Sequence, residues 1–273
     1  MRVRLCGMAL SVLAFIFSAP SADAGGDIPN PIGVVELFTS QGCNSCPPAD
    51  EVLAGLAQRG DVVALGYHVD YWDYLGWRDT LARPENTQRQ HDYREAFGGR
   101  SVYTPQAVVN GRMHLHGAKG PKVKAAIDAM ARTGKGMSVP LKVQRRGESL
   151  IISAGDARDG TDEAHLMLVY FGPPQGVDIG GGENGGRKVV YWNPVTAVQA
   201  AGMWHGKAAD FEIPASEVDR KGAGGCAVLL QARTGKDGPG PLVASFGSTA
   251  GDYPIPVAIV PGHLTDEELD ALT

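Results

Sequence analysis

Residues 34–50 read VVELFTSQGCNSCPPAD, an apolar run that leads into a glycine, two cysteines and two prolines. The apolar run, interrupted by Glu36, predicts a buried strand. Residues 49–59 carry apolar side chains at helical spacing, and this pattern predicts a helix. Cys43 and Cys46 therefore stand where a strand turns into a helix. A helix N-terminus stabilises the thiolate, which is the reactive form of cysteine.

The position of each residue in this turn suggests a role in catalysis. Cys43 precedes the helix, so we expect it to be the exposed nucleophile, and Cys46 lies deeper as the resolving thiol. Glu36 could be a buried carboxylate that exchanges a proton with Cys46, because burial raises the pKa of a carboxyl group. The alternative is that Glu36 lies at the edge of the sheet in contact with water.

Two other interpretations of the cysteine pair stay open. A structural disulfide that closes so short a loop would contribute only about 2 kcal/mol, which makes it a weak staple. A soft-metal site, for example for copper, would need partners such as His114 and His116, but their spacing matches no standard zinc pattern. We predict neither a metal nor a cofactor.

The order of elements continues the pattern of the first strand and helix. Asn110-Gly111 is a strong hairpin signal between two further strands. In this part of the chain the predicted strands are 62–67, 106–109 and 112–116, and the predicted helices are 84–97 and 122–132. This βαβ order followed by ββα is the thioredoxin topology, which predicts a thioredoxin-like domain over residues 25–133.

The chain after residue 136 has a different texture. Short apolar segments alternate with Gly, Pro and Asp, which predicts a β-sandwich over residues 137–258. A capping box at Thr265 and Glu268 predicts a helical tail over residues 259–273. The fold class expected is an α/β thioredoxin-like domain followed by a mostly-β, sandwich-like domain.

Several residues outside the cysteine turn are candidates for substrate binding. Thr104 and Pro105 precede the third predicted strand. The resemblance to thioredoxin-like proteins implies a cis proline at this point, which faces the cysteine pair and holds an extended substrate. His68, Asp70 and Trp72 follow the second strand, on the same edge as Cys43. The alternatives are a strand-initiating proline and aromatic side chains that merely pack this loop.

The N-terminus and the composition bear on location and partners. Residues 1–24 have a basic start, a short apolar run and a small-residue cleavage site, as in a cleaved signal peptide. We expect a periplasmic or secreted protein with no membrane span. The formal net charge is −5 and no basic patch stands out, so nucleic acid is not an expected partner. Of the four cysteines, Cys6 falls in the signal, and Cys226 is expected to be buried.

The motifs together resemble the bacterial exported family called domain of unknown function 1223. They are VELFTSQGC from residue 35, CPPAD from residue 46, HVDYWD from residue 68 and YTPQ from residue 103. Glu183-Asn184-Gly185 with Arg187, and residues 228–231, are similar to its later motifs. The resemblance implies a thioredoxin-like fold and an envelope or secreted location, but it supplies no substrate.

The function that these observations favour is an exported thiol–disulfide oxidoreductase that acts on protein thiols or disulfides. Cys43 would attack, Cys46 would resolve, and Thr104 and Pro105 would position the substrate. The alternatives are a non-catalytic binding module with a structural disulfide, and a soft-metal binding protein. The sequence leaves open the direction of electron flow and the oligomeric state.

Overall fold

The computed structural model describes residues 31–134, 137–158, 160–221, 224–234 and 238–249. Its first sheet has the strand order β2-β1-β3-β4. β1 and β2 are parallel, whereas β3 is antiparallel to β1 and β4 is antiparallel to β3. The strands are β1 (Gly33–Thr39), β2 (Val62–His68), β3 (Gln106–Val109) and β4 (Met113–His116).

Helices cover both faces of this sheet. α1 (Pro47–Arg59) and α3 (Gly120–Thr133) pack on one face, where Leu53 and Ile127 share a hydrophobic cluster with Leu37 of β1. α2 (Pro84–Ala96) packs on the other face, where its Tyr93 lies beside Phe38. Alternate residues of β1 thus point into different clusters, as the period of two in a strand requires.

The later strands form three more sheets. One has the order β10-β7-β12-β13, one has the order β11-β6-β5, and the third is the β8–β9 hairpin. Their strands are β5 (Leu141–Arg146), β6 (Ser149–Ala154), β7 (Ala164–Phe171), β8 (Gln175–Asp178), β9 (Lys188–Tyr191), β10 (Val195–Trp204), β11 (Ala209–Pro214), β12 (Gly225–Thr234) and β13 (Gly238–Thr249). A short helix, α4 (Ala215–Lys221), precedes β12.

The sheet of β7 and β12 is covered on both faces. Leu166 of β7 and Leu230 of β12 face Ile152 of β6 in one cluster. Phe171 and Leu229, on the opposite face, join Phe38 of β1 in another cluster. The later strands therefore help to bury the first sheet.

The predicted fold class, an α/β thioredoxin-like domain followed by a mostly-β, sandwich-like domain, is wrong. Strands account for 40% and helices for 26% of the structure, which is mostly β with four small sheets and is not an α/β thioredoxin-like fold. The physical reason is the cluster that contains both Phe38 and Leu229. Local element order predicted a first sheet covered by its own helices, but one face is buried in large part by strands that come much later.

The pattern of single elements was more informative than their assembly. The strands around residues 34–39 and 62–67 and the Asn110-Gly111 hairpin are confirmed. Both hairpin residues have positive φ, at 50° and 60°, as this turn requires. The strands β8 and β10 were missed. β10 is difficult to recognise because it is rich in alanine and lacks clean alternation.

The division into a first domain over residues 25–133 and a second over residues 137–258 stays a prediction. The predicted signal peptide and the predicted helical tail lie outside the described residues. Cys226 is buried on β12, as predicted, and burial raises the pKa of its thiol to about 12. This thiol is therefore unreactive at neutral pH.

The shared cluster predicts that a change in β12 weakens β1. Leu229→Ala removes part of the cluster that contains Phe38, and we expect a loss of about 2–5 kcal/mol in the free energy of unfolding. Hydrogen exchange should show less protection of the β1 amides. Leu230→Ala, on the opposite face of the same strand, is the control and should affect β1 less. Unchanged protection of β1 in the Leu229 variant would contradict the shared core.

Candidate functional site

Cys43 and Cys46 form a disulfide at the start of α1. The carbonyl of Cys46 accepts hydrogen bonds from the amides of Ala49 and Asp50 in the first turn. The side chains of Asn44 and Ser45 between the cysteines are exposed. Cys43, however, is 1% exposed and Cys46 is 0% exposed. The prediction that Cys43 is exposed is therefore wrong in this oxidised state.

The reason for the burial is a set of contacts around residues 41–43. The Gln41 side chain accepts from the indole of Trp77 and donates to the Thr80 hydroxyl. The backbone amide of Gln41 donates to the Asp79 carboxylate. Asn184, which comes from the β8–β9 connection, donates to the carbonyls of both Gln41 and Cys43. Two distant segments thus hold the loop that carries Cys43.

Trp72 links this loop to the predicted substrate-binding residues. Its Cβ would lie 3.1 Å from a Cβ placed on Gly42, so only glycine fits beside it without movement. The Trp72 indole donates to the Thr104 hydroxyl at 2.8 Å. The Thr104-Pro105 peptide bond is cis, as predicted. The structure therefore brings Trp72, Thr104 and Pro105 together with the cysteine turn.

Asp50 is the buried carboxylate closest in the chain to Cys46. It lies one helical turn after Cys46 and is 3% exposed. Its Oδ1 accepts from the Thr39 hydroxyl at 2.8 Å, and its Oδ2 has no hydrogen-bond partner among the described residues. Burial raises the pKa of Asp50 to about 7, against a smaller lowering by the charge of His68 and the Thr39 hydrogen bond. Asp50 can therefore gain or lose a proton near neutral pH.

His68 is buried and paired rather than presented to a substrate. It is 1% exposed, and its Nδ1 lies 2.8 Å from Asp79 Oδ2. Burial alone would raise the pKa of Asp79, but the charge and hydrogen bond of His68 and two backbone amides hold it below its usual range. Tyr191 of β9 packs edge-on against the His68 ring.

Glu36 is buried, as one of its two interpretations held, but it is fully paired with α2. Its Oε1 accepts from Arg89 Nε at 2.7 Å, and its Oε2 accepts from the Tyr93 hydroxyl. Arg89 also donates to Gln231 of β12 and lies over the Tyr93 ring. These bonds make Glu36 part of a clamp between β1, α2 and β12.

Asp70 also faces α2. Its Oδ1 accepts from the Thr87 hydroxyl at 2.7 Å. The structure thus groups Cys43, Cys46, Trp72, Thr104 and Pro105. His68 is linked to the cysteine loop through Asp79, whereas Glu36 and Asp70 are turned toward α2. His114, proposed as a metal ligand, instead bonds to the Tyr103 hydroxyl. The described residues contain no group of three or more His, Cys, Asp or Glu side chains that could hold a metal.

The sequence interpretation gave no role to Asp50, Asp79 or Asn184, although Asp50 lies in the CPPAD motif and Asn184 in the Glu183-Asn184-Gly185 motif. Asp50 could have been found from its spacing, since residues four apart lie on the same helix face as one another. No local signal points to Asn184, which bonds to a residue 141 positions earlier in the chain.

Comparison with known proteins gives a family. The family model described as Protein of unknown function (DUF1223) matches residues 34–231, which include the disulfide, Asp50 and Asn184. The chain belongs to this family. No curated protein matches it.

Two solved structures are similar to this DUF1223 protein. The crystal structure of a protein from Agrobacterium tumefaciens is 44% identical, with a TM-score of 0.74, and the match covers 82% of this chain and 96% of that one. HBP35 of Porphyromonas gingivalis is 13% identical, with a TM-score of 0.55, over 82% of this chain and 76% of its own. The second likeness concerns the fold alone. Among the described residues of the DUF1223 chain, no helix has the length and apolarity to cross a membrane.

The clamp around Glu36 predicts a large stability effect. Arg89→Leu would leave Glu36 buried without its cation, and we expect a loss of about 3–5 kcal/mol in the free energy of unfolding by denaturant. Arg94→Leu on the same helix breaks a surface pair with Glu95 and should cost no more than about 1 kcal/mol. Equal effects of the two substitutions would contradict the clamp.

Proposed function

We propose that this protein is an exported thiol–disulfide oxidoreductase whose redox centre is the Cys43–Cys46 pair. The observation that carries the proposal is the position of this disulfide at the N-terminus of α1, one turn before the buried carboxylate of Asp50. One oxygen of that carboxylate has no hydrogen-bond partner within the described ranges. A helix N-terminus favours a thiolate, and Asp50 offers a proton acceptor. A disulfide with a purely structural role needs neither feature.

The exchange has two balanced steps. In the reduced protein, the Cys43 thiolate attacks a partner disulfide and forms a mixed disulfide, while the second partner sulfur leaves with the electron pair and takes a proton. The Cys46 thiolate then attacks Cys43 Sγ, forms the Cys43–Cys46 bond and releases the first partner sulfur. Two electrons pass to the partner. The reverse sequence oxidises a partner dithiol, so the same centre serves either direction.

Asp50 takes the proton role first considered for Glu36. Cys46 must lose a proton before it attacks, and a carboxyl group with a pKa of about 7 accepts protons at neutral pH. Both oxygens of Glu36 are already bonded to α2, whereas one oxygen of Asp50 has no hydrogen-bond partner in the part of the chain that the structure describes. Asp50 is thus better prepared than Glu36 to change its protonation during exchange.

The partner would bind beside Trp72, Thr104 and Pro105. The indole-to-hydroxyl bond from Trp72 to Thr104 spans the gap between the cysteine turn and the start of β3. An extended chain carrying a thiol or disulfide could lie along this edge, next to exposed Asn44 and Ser45. The signal-like residues 1–24 support a periplasmic or secreted location.

A second candidate is a binding module fixed by a structural disulfide. The 1% exposure of Cys43 favours it, because an attacking thiolate must reach a sulfur directly. This candidate predicts that the disulfide resists reduction and that the protein performs no exchange.

Exchange kinetics separate the two candidates. With a reduced or oxidised model protein as partner, the wild-type chain should accelerate exchange and Cys43→Ser should abolish it. Cys46→Ser should accumulate the mixed disulfide through Cys43, which mass spectrometry detects. Cys226→Ser is the matched control, because this buried thiol lies away from the site, and it should retain activity. No acceleration by the wild-type protein in either direction would contradict the proposal.

The raised pKa of Asp50 predicts that both the exchange rate and the stability depend on pH. We expect Asp50→Asn to slow exchange by about 10²-fold and to remove a titration near pH 7 from the rate profile. The folded pKa lies above the usual value of 3.8, so wild-type stability should fall as pH rises from about 4 to 7. The variant should therefore gain about 2–4 kcal/mol over wild type at pH 8 relative to pH 4.

Exposed Asp162→Asn is the control for this substitution and should change neither the rate nor the pH profile. A rate profile that still titrates near pH 7 in the Asp50 variant would show that another group exchanges the proton.

A further inference from the structure

The β8–β9 hairpin sends its connecting loop to the disulfide. Its two strands pair with each other, and residues 182–184 at its tip form a short 3-10 turn. Asn184 in that turn is 1% exposed and donates from one amide nitrogen to the carbonyl of Gln41 at 2.9 Å and to that of Cys43 at 2.8 Å. One side chain thus links the hairpin to the loop that carries the nucleophile.

Glycines at the tip of the hairpin allow it to pack closely against residues 76–77. A Cβ on Gly180 would lie 2.9 Å from the Trp77 ring, and one on Gly181 would lie 2.9 Å from the Gly76 carbonyl. Gly182 has a φ of +68°, which favours glycine. These three glycines allow the loop to press against residues 76–77, so that Asn184 reaches the carbonyl of Cys43.

Fewer buried apolar residues pack around the β8–β9 hairpin than around the strands of the larger sheets. Its buried cluster consists of Val177, Ile179 and Tyr191, with Trp77 packed against it. The strands β1 and β12, in contrast, are buried in the larger clusters of the core. Elements with few buried apolar contacts open at lower free energy than the core does. We therefore expect the hairpin to open more readily than β1 and β12.

Chemistry at Cys43 requires such an opening. A thiolate has to approach the sulfur directly, and Cys43 is 1% exposed in the oxidised structure. Trp72 on one side is held by Thr104 and packs closely on Gly42. Asn184 on the other side holds the loop by two side-chain hydrogen bonds, and its own Oδ1 has no hydrogen-bond partner among the described residues.

We propose that the β8–β9 hairpin is a latch over the disulfide, that Asn184 is the residue that keeps it closed, and that a partner reaches Cys43 when the hairpin opens. The latch rests on the proposed redox function, because it controls access to the same sulfur. It also restricts the choice of partner. A small thiol reaches Cys43 during brief openings, whereas a protein partner must displace the hairpin as it binds.

The test compares two aspartate substitutions of asparagine. Asn184→Asp removes the amide donor to two backbone carbonyls, whereas Asn193→Asp removes the donor to one, that of Ala64, and each substitution adds one charge. We expect Asn184→Asp to increase the rate of disulfide reduction by dithiothreitol about tenfold or more, since two hydrogen bonds are lost. Asn184→Ala should do the same without the charge. Asn193→Asp should leave the rate within about twofold of wild type.

The outcomes separate the latch from the redox function. Rates for both Asn184 variants equal to the wild-type rate, in a protein that still performs exchange, would overturn the latch alone. Faster reduction in both variants, with no protein exchange in wild type, would support the latch and contradict the proposed function.

If the variants fail to fold, hydrogen exchange of the unsubstituted protein measures the opening of the hairpin directly. The amide of Gly186 donates to the carbonyl of Ile179 inside the hairpin, so its exchange reports hairpin opening. The latch predicts that this amide opens at lower free energy than the amides of β1. Equal protection would mean that the hairpin opens only on global unfolding, and the latch would be wrong.

Discussion

The burial of both faces of β1 is the constraint on which the rest of the structure depends. All seven residues of this strand are buried, so its apolar side chains need partners on two sides. α1 and α3 cover one side, and α2 with strands from the later part of the chain covers the other. The two polar side chains of the strand must then be satisfied inside the protein, because buried polar groups without partners cost free energy.

These two polar side chains have different consequences. Glu36 is neutralised by Arg89 and bonded by Tyr93, so it ties β1 to α2 and, through Gln231, to β12. Thr39 points to the other face and bonds to Asp50. Among the described residues, Asp50 has no cation in hydrogen-bond contact and no partner for its Oδ2. The first arrangement stabilises the fold. The second leaves a carboxyl group with a raised pKa next to the turn that holds the disulfide.

Local features were predictable from the sequence, whereas long-range assembly was not. The strand before Cys43, the helix after Cys46 and the Asn110-Gly111 hairpin follow from periodicity and turn chemistry. The packing of Leu229 in the same cluster as Phe38 does not follow from the sequence. Both faces of β12 are apolar, and the sequence does not indicate which cluster each face joins. The predicted thioredoxin-like class was wrong for this reason. Likewise, nothing local shows that Asn184 caps Cys43, so the exposure of this cysteine was predicted wrongly.

The reduction potential of the Cys43–Cys46 pair tests the central claim most directly. It can be measured by equilibrating the full chain with glutathione or dithiothreitol buffers and trapping free thiols. A redox centre predicts a potential above about −300 mV, in the range of exchange-active dithiols. A potential below about −300 mV would mark the bond as a structural disulfide and would contradict the account.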